Sequence, residues 1–272
     1  MATPIGNLAD LSPRAVEALA VADVICSEDT RVVRKLLSYA GVSLSGKQLI
    51  AVHGHNEAAA AERVVALVSG GATVALTTDA GTPAVSDPGA RVVRAMLDAG
   101  LPVESVPGPS AALAALVVSG LPFDRFCFEG FLPRRGRDRA ARLAAVAAEP
   151  RTTVIFESPR RVALTVDDLI EACGGERPVA IARELTKRNE EVWRGALDQA
   201  AAWLASGEPR GEFVLVLGGA GPPEGPAAGD IERSLAAHLA AGEDRKAAVA
   251  AVATELGVPK RVVYDLSIGR ST

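Results

Sequence analysis

Aromatic residues are scarce in this chain, 4% of 272 residues, and methionine (2) and cysteine (3) are scarcer still. Alanine and valine abound instead, so the core is expected to be aliphatic. Cys26, Cys127 and Cys173 are odd in number and far apart, which excludes a disulfide framework and reads as reduced structural thiols in a cytoplasmic protein. No apolar run approaches the roughly 18–20 residues of a membrane span; the longest, "AALAALVVSG" (111–120), stops at a glycine. The N-terminus has no basic stretch followed by an apolar one, so no secretory signal is expected.

Several familiar sites are missing as well. No G-x-G-x-x-G follows a strand signal, which removes the usual dinucleotide cradle and the similar glycine-rich loop of common methyltransferases. "GVSLSGKQ" (41–48) approaches a phosphate loop, but Gln48 stands where Ser or Thr is required. A helix precedes it and a strand-like "LIAVH" follows, the reverse of what that loop needs. "HGH" (53–55) has no cysteine or third histidine to complete a zinc site, and no metal is expected. Ser110 in "PGPSA" is outside a G-x-S-x-G elbow and has no evident histidine partner. Net charge is −4, which does not advertise a nucleic-acid binder, yet "PRRGRDRAAR" (133–142) gathers five arginines against one aspartate. That run is either a solvated face or a phosphate-binding one.

What is present is alternation. "LSPRAVEALAVA" carries an N-cap at Ser12 and proline at the first helical position. Strand signals follow at 24–26, 73–78 and in "PVESVPGPS" (102–110), separated by helices at "EAAAAERVVALVSGG", "DPGARVVRAMLDAG" (capped by Asp87) and "SAALAALVVSG". The second half repeats the pattern with strong strands in 151–159, 178–186 and 212–219. This predicts two α/β domains with mostly parallel sheets, residues 1–120 and 121–219. A Pro/Gly/Ala linker (220–230) leads to a small helical tail (231–272) that is helix-turn-helix-like around Gly257. The tail reads equally as an appendage packed on the body or on a second subunit.

Six loops at expected carboxyl ends of strands remain: "ATPIGN" (2–7), "SEDTR" (27–31), "TTDAGTP" (77–83), "VPGPSA" (106–111), "FESPRR" (156–161) and "ARELTK" (182–187). Open α/β sheets place their ligands there. Proline and glycine fix the backbone close to a ligand, while Asp, Glu and Thr supply directed hydrogen bonds.

In that order and spacing, with "DAGTPAVSDPG" and "GLPFDRFCFEGFLPRR" between them, these loops resemble the rRNA 2′-O-methyltransferase branch of the tetrapyrrole-methylase superfamily. The resemblance covers residues 2–219 and, more loosely, the tail. It implies a class III methyltransferase fold, with S-adenosylmethionine folded into the cleft between two α/β domains. It implies Pro4, Thr77, Thr78, Asp79, Thr82, Ser110 and Ala111 from the first domain, and Glu157, Leu185 and Thr186 from the second, as cofactor-binding residues. Acceptor-rich loops suit an amino group, ribose hydroxyls and a sulfonium without any cationic cradle. The implied substrate is a cytidine 2′-hydroxyl of 16S rRNA in the decoding region of the assembled 30S subunit. The implied enzyme is a cytoplasmic homodimer with no membrane association. Members of this branch begin with a strand before "ATPIGN", whereas only Met1 precedes it here, so the start is expected to lie upstream.

Methyl transfer to a 2′-hydroxyl is an in-line displacement that chiefly needs alignment, helped by a base or an orienting acceptor. Asp29, Asp79 and Glu184 are candidates for that role, with Glu28 and His55 beside them, and Lys187 could steady the developing alkoxide. Arg31, Arg134, Arg135, Arg160 and Arg161 are the expected RNA phosphate contacts. Two other readings compete. A porphyrinoid methylase would have no need of "PRRGRDR" or of the tail, and a non-enzymatic RNA-binding assembly factor would find the cofactor dispensable.

Overall fold

The computed structural model describes residues 1–221, 226 and 228–268. Most of the expected linker (222–225 and 227) and the end of the tail (269–272) lie outside the described residues. Met1–Gly219 and Ala220–Thr272 form two compact units.

The first unit opens with an extended segment whose Ala2 N–H donates to Val106 O at 3.0 Å and whose Thr3 forms an antiparallel bridge with Gly81. Helix α1 (Pro13–Val21) follows, with Ser12 accepting from Ala15 N and Pro13 at its first position, as its sequence predicts. Strand β1 (Val24–Ser27), α2 (Thr30–Tyr39), β2 (Gln48–Ala51), α3 (Glu57–Ser69), β3 (Val74–Leu76) and α4 (Ala90–Asp98) complete a three-stranded parallel sheet ordered β2-β1-β3. Leu19, Ile25 and Leu37 pack on one side of it; Cys26, Val64 and Val92 pack on the other. Residues 102–110, expected to begin with a strand, form no ladder; the segment is largely exposed.

Helix α5 (Ala111–Ser119) is capped by Ser110 and ends at Gly120, whose φ of +78° lets the chain turn out of the helix. Its small apolar residues Ala112, Ala115 and Leu116 lie on the second sheet, against Val154, Ala180 and Val216. That sheet holds β4 (Phe126–Phe131), β5 (Thr152–Glu157), β6 (Pro178–Arg183), β7 (Glu191–Ala196) and β8 (Phe213–Leu217), ordered β4-β5-β8-β6-β7. Helices α6 (Gly136–Ala148), α7 (Val162–Cys173) and α8 (Leu197–Ala205) cover the other face, around Ile155, Leu169, Ile181 and Leu215.

The first sheet is parallel, as expected, but the second is mixed. β4 and β5 pair in parallel, whereas β8 pairs antiparallel with both β5 and β6, and β7 antiparallel with β6. The reason lies in the connections. The 184–190 loop joins β6 to β7 without the crossover that parallel neighbours need, so β7 must run back. After α8 the chain re-enters in the direction of β7 and fills the lane between β5 and β6.

In the second unit, α9 (Ala228–Ala240), α10 (Arg245–Glu255) and α11 (Lys260–Ser267) enclose Ile231, Leu235, Ala248, Val252 and Val263. Asp244 caps α10 by accepting from Ala247 N at 2.8 Å, and Gly257, at φ +64°, turns the chain into α11.

Candidate active site

Within the first unit, the carboxyl ends of β3, β4, β5 and β6 and the amino end of antiparallel β8 converge on a cavity of about 290 Å³. Its apolar wall is Ile5, Val85, Phe131, Phe156, Leu185, Phe213 and Val214; its polar groups are Thr82, Ser86, Asp87, Ser110, Glu157, Ser158 and Glu212. Phe156 meets Phe131 edge-on at 5.7 Å and Phe128 at 5.0 Å, which sets the shape of that wall.

The loop after β3 is built for this position. Gly81 (φ +84°), Ala84 (+67°), Ser86 (+62°) and Gly89 (+132°) all occupy left-handed backbone, uncommon for Ala and Ser. The turn docks against β4 where a register shift between Phe128 and Gly130 bends the strand. Gly130 has φ +62°, and a Cβ there would lie 2.7 Å from Ser86 Oγ. Glycine at 130 is therefore what allows the approach.

Asp87 does not cap α4, contrary to its sequence reading. The cap residue is Gly89, and the exposed amides are taken by Glu57 of α3, whose Oε1 accepts from Gly89 N at 2.8 Å and Arg91 N at 2.9 Å. Asp87 lines the cavity instead. Burial pushes its carboxyl up to about 6; Glu28 and Asp79 push the same way, and the Thr78 hydroxyl offsets part of the effect. Glu28 is itself raised, by burial first and then by the charge of Asp79.

Of the residues expected to bind cofactor, Thr82, Ser110, Ala111, Glu157 and Leu185 line the cavity. Pro4, Thr77, Thr78, Asp79 and Thr186 stand outside the lining. Thr77 bonds Cys26 O through both its N–H (2.8 Å) and its hydroxyl (3.0 Å), continuing the β1–β3 ladder. Thr186 Oγ1 accepts from Asn7 N at 3.0 Å and so holds the 2–7 loop.

The proposed reacting groups are likewise engaged elsewhere. Asp29 caps α2 and is gripped at both oxygens by Arg31, whose hydrogen bonds hold that carboxyl down at about 2. Asp79 accepts from Asp29 N at 3.0 Å. Glu184 takes Lys187 Nζ at 2.9 Å and Glu212 N at 3.0 Å, and Lys187 also reaches Glu212 at 3.0 Å.

Glu157 is a wholly buried carboxylate in the cavity wall. Its oxygens accept from Ser158 N (2.8 Å) and Thr165 Oγ1 (2.8 Å), and Arg161 stands 3.4 Å away. Arg161 also donates to Leu132 O at 3.1 Å, so it is an internal strut rather than the expected phosphate contact. Arg139 is buried too, donating to Pro133 O, Thr165 Oγ1 and Asp168. Together the two arginines fix the backbone of the "FLPRR" turn. The exposed arginines Arg134, Arg135, Arg137 and Arg160 make no ion pair among the described residues. Three of them are close in sequence to cavity residues: Arg160 is next to Pro159, and Arg134 and Arg135 come three and four residues after Phe131.

Sequence reasoning missed the aromatic wall and Asp87. The second Asp-Pro-Gly of the "DAGTPAVSDPG" stretch was the available signal, and it reads equally well as a helix cap.

The model of the tetrapyrrole (corrin/porphyrin) methylases matches residues 2–201. Ribosomal RNA small subunit methyltransferase I of Mycobacterium tuberculosis is 47% identical over 265 residues, 97% of this chain and 92% of that one. Among solved structures, a uroporphyrin-III-C-methyltransferase from Thermus thermophilus superposes with a TM-score of 0.56 at 25% identity, over 79% of this chain and 91% of that one. Another from the same organism, complexed with S-adenosylhomocysteine, gives 0.54 at 21% identity over 79% and 94%. Over almost its whole length, then, the chain belongs to the ribosomal RNA small subunit methyltransferase I family, a branch of the tetrapyrrole methylases.

Proposed function

We propose that the chain transfers the methyl group of S-adenosylmethionine to the ribose 2′-hydroxyl of a cytidine in 16S rRNA, in the decoding region of the assembled 30S subunit. The observation that carries the reading is one cavity with apolar walls and uncompensated acidity, bordered by exposed arginines that no carboxylate engages. Glu28 and Asp79, the acidic groups beside the cavity, give the site a negative field suited to a cofactor that is cationic at sulfur and nitrogen. Thr82 and Ser110 offer hydroxyls, and the Phe131–Phe156 wall offers a flat face. The cofactor supplies an already activated methyl group, so the protein's task is to align the hydroxyl and exclude water. In this reading Arg134, Arg135 and Arg160, exposed and without a carboxylate partner among the described residues, meet phosphates around the target nucleotide.

Identity of 47% to a relative named for small-subunit rRNA, against 25% to a porphyrin methylase, favours RNA as substrate. A homodimeric, cytoplasmic enzyme is part of the same reading, and sedimentation tests the first. Among the described residues no helix is long and apolar enough to cross a membrane.

The test is transfer of labelled methyl to unmethylated small subunits, naked rRNA and a porphyrinoid in parallel, with the labelled nucleoside identified by mass spectrometry. A 2′-O-methylcytidine on the subunit is the expected product. Label on the porphyrinoid alone overturns the RNA reading while keeping the fold.

A further inference from the structure

Three carboxylates line the cavity, and two of them are committed. Glu157 is fully buried and neutralised by Arg161, with Ser158 N and Thr165 Oγ1 filling its lone pairs. Glu212 is bonded to Lys187 at 3.0 Å and points to solvent. Asp87 alone has no cation: among the described residues no arginine, lysine or histidine lies within ion-pair distance of it. The fold has also relieved it of the structural duty its position suggests, because Glu57 caps α4 from across α3. It is then held in the wall by strained backbone, with Ser86 before it in left-handed conformation and seated against Gly130. Strain kept at a cavity wall by packing from another sheet is the mark of a positioned group.

We propose that Asp87 is the proton acceptor for the substrate hydroxyl. The inference rests on the methyl-transfer reading given above. As the 2′-oxygen forms its bond to the methyl carbon, the donor's S–CH3 bond breaks to leave a neutral thioether. The O–H bond breaks with its proton passing to the Asp87 carboxylate, and from there to water. The charged groups facing Asp87 are Glu28, which follows β1, and Asp79, which follows β3; burial first, and then these two acidic neighbours, make the carboxylate a stronger base than an exposed one. Glu28 is in turn faced by His53 and Asp29. With a pKa near 6, the group is ionised at neutral pH yet basic enough to take up a proton in the transition state.

The experiment compares wild type with Asp87→Asn and Asp87→Glu in three readouts. These are S-adenosylmethionine affinity by calorimetry, single-turnover methyl transfer to small subunits from pH 5 to 9, and the carboxyl chemical shift of Asp87 against pH. The expected result for Asp87→Asn is a transfer rate lower by about 10²–10⁴ with cofactor affinity within threefold. Wild type should show an acid limb near pH 6 that Asp87→Asn loses, and Asp87→Glu should recover part of the rate. A transfer rate for Asp87→Asn within fivefold of wild type overturns the proposal. So does a fall in cofactor affinity as large as the fall in rate, which would make Asp87 a binding residue. A wild-type protein that binds cofactor but leaves the subunit unlabelled refutes the substrate instead. In that case the carboxyl titration still decides, because an Asp87 that ionises below pH 4 in the cavity is no base.

Discussion

Replacing Gly130 by alanine should damage the seat of the 80–89 loop by an amount that Ser86 can give back. The backbone there has φ +62°, which costs an L-residue about 1–2 kcal/mol relative to glycine. The new methyl would also sit 2.7 Å from Ser86 Oγ, well inside van der Waals contact. With Ser86 Oγ in its present rotamer, the overlap should add roughly 1–3 kcal/mol of the kind seen when a packed site is overfilled. Ser86→Ala removes the offending oxygen and should cost little alone. In the double variant the overlap disappears and only the backbone term remains, so the two changes should couple favourably by about 1–3 kcal/mol. Trp203 of α8 and Trp193 of β7 both belong to the first unit, so fluorescence-monitored urea unfolding of the full chain reads this unit. A coupling energy below about 0.5 kcal/mol would refute the claim that glycine is present to admit Ser86.

Other perturbations separate structural from functional charges. Arg161→Met leaves Glu157 buried without its cation and should cost about 3 kcal/mol in the same unfolding assay. Ala at Arg134, Arg135 and Arg160 together should leave the unfolding midpoint unchanged; the log–log salt slope of subunit binding should flatten by about 2–3. Because the folded pKa of Asp87 is raised to about 6, the native state holds a proton that the unfolded chain releases between pH 4 and 6. This group's contribution therefore favours folding at low pH and is lost as pH rises through 6. Asp87→Asn should accordingly be more stable than wild type at pH 8, by roughly 1 kcal/mol after discounting its partial exposure, and no more stable at pH 4. In the second unit, His238 Nδ1 donates to Glu243 Oε1 at 2.8 Å, and that bond raises its pKa. The imidazole's support of α9 is then full below its ordinary pKa and is lost as pH climbs through the raised one. A ring-proton titration measures the shift, and its reduction in Glu243→Gln, with Glu255 still in place, assigns the larger share of the cause.

The legibility of this fold followed burial. β5, β6 and β8 are central strands with both faces covered, so they read as continuous Val, Ile, Leu and Ala runs, and 151–159, 178–186 and 212–219 locate them. β4 and β7 are the edges of the same sheet; they are half-exposed and interrupted by Glu129 and Arg194, and nothing in their pattern separates them from loop. The direction of β7 and β8 was hidden because it depends on which lane a returning strand fills. At the site, residues announced by short loop motifs were found (Thr82, Ser110, Glu157), but Asp87 was assigned to a cap that a residue thirty positions upstream supplies. The arginines illustrate the converse. Composition counts Arg139, Arg142 and Arg161 with their neighbours, while packing turns the first and last inward and pairs Arg142 with Glu129.

The lodging of α5 on the second sheet has a consequence for dividing the molecule. By sequence the natural cut is after Gly120, where the glycine turn and the proline-bearing stretch beyond it suggest a joint. A break there would strip Ala112, Ala115 and Leu116 from Val154, Ala180 and Val216, leaving one fragment with a naked sheet face and the other with an apolar helix in water. A break within Pro107–Gly108–Pro109 leaves helix and sheet together, and cuts the chain outside every helix and strand. Split halves made at that point should reassemble on mixing, and the cavity would be restored along the line where they meet.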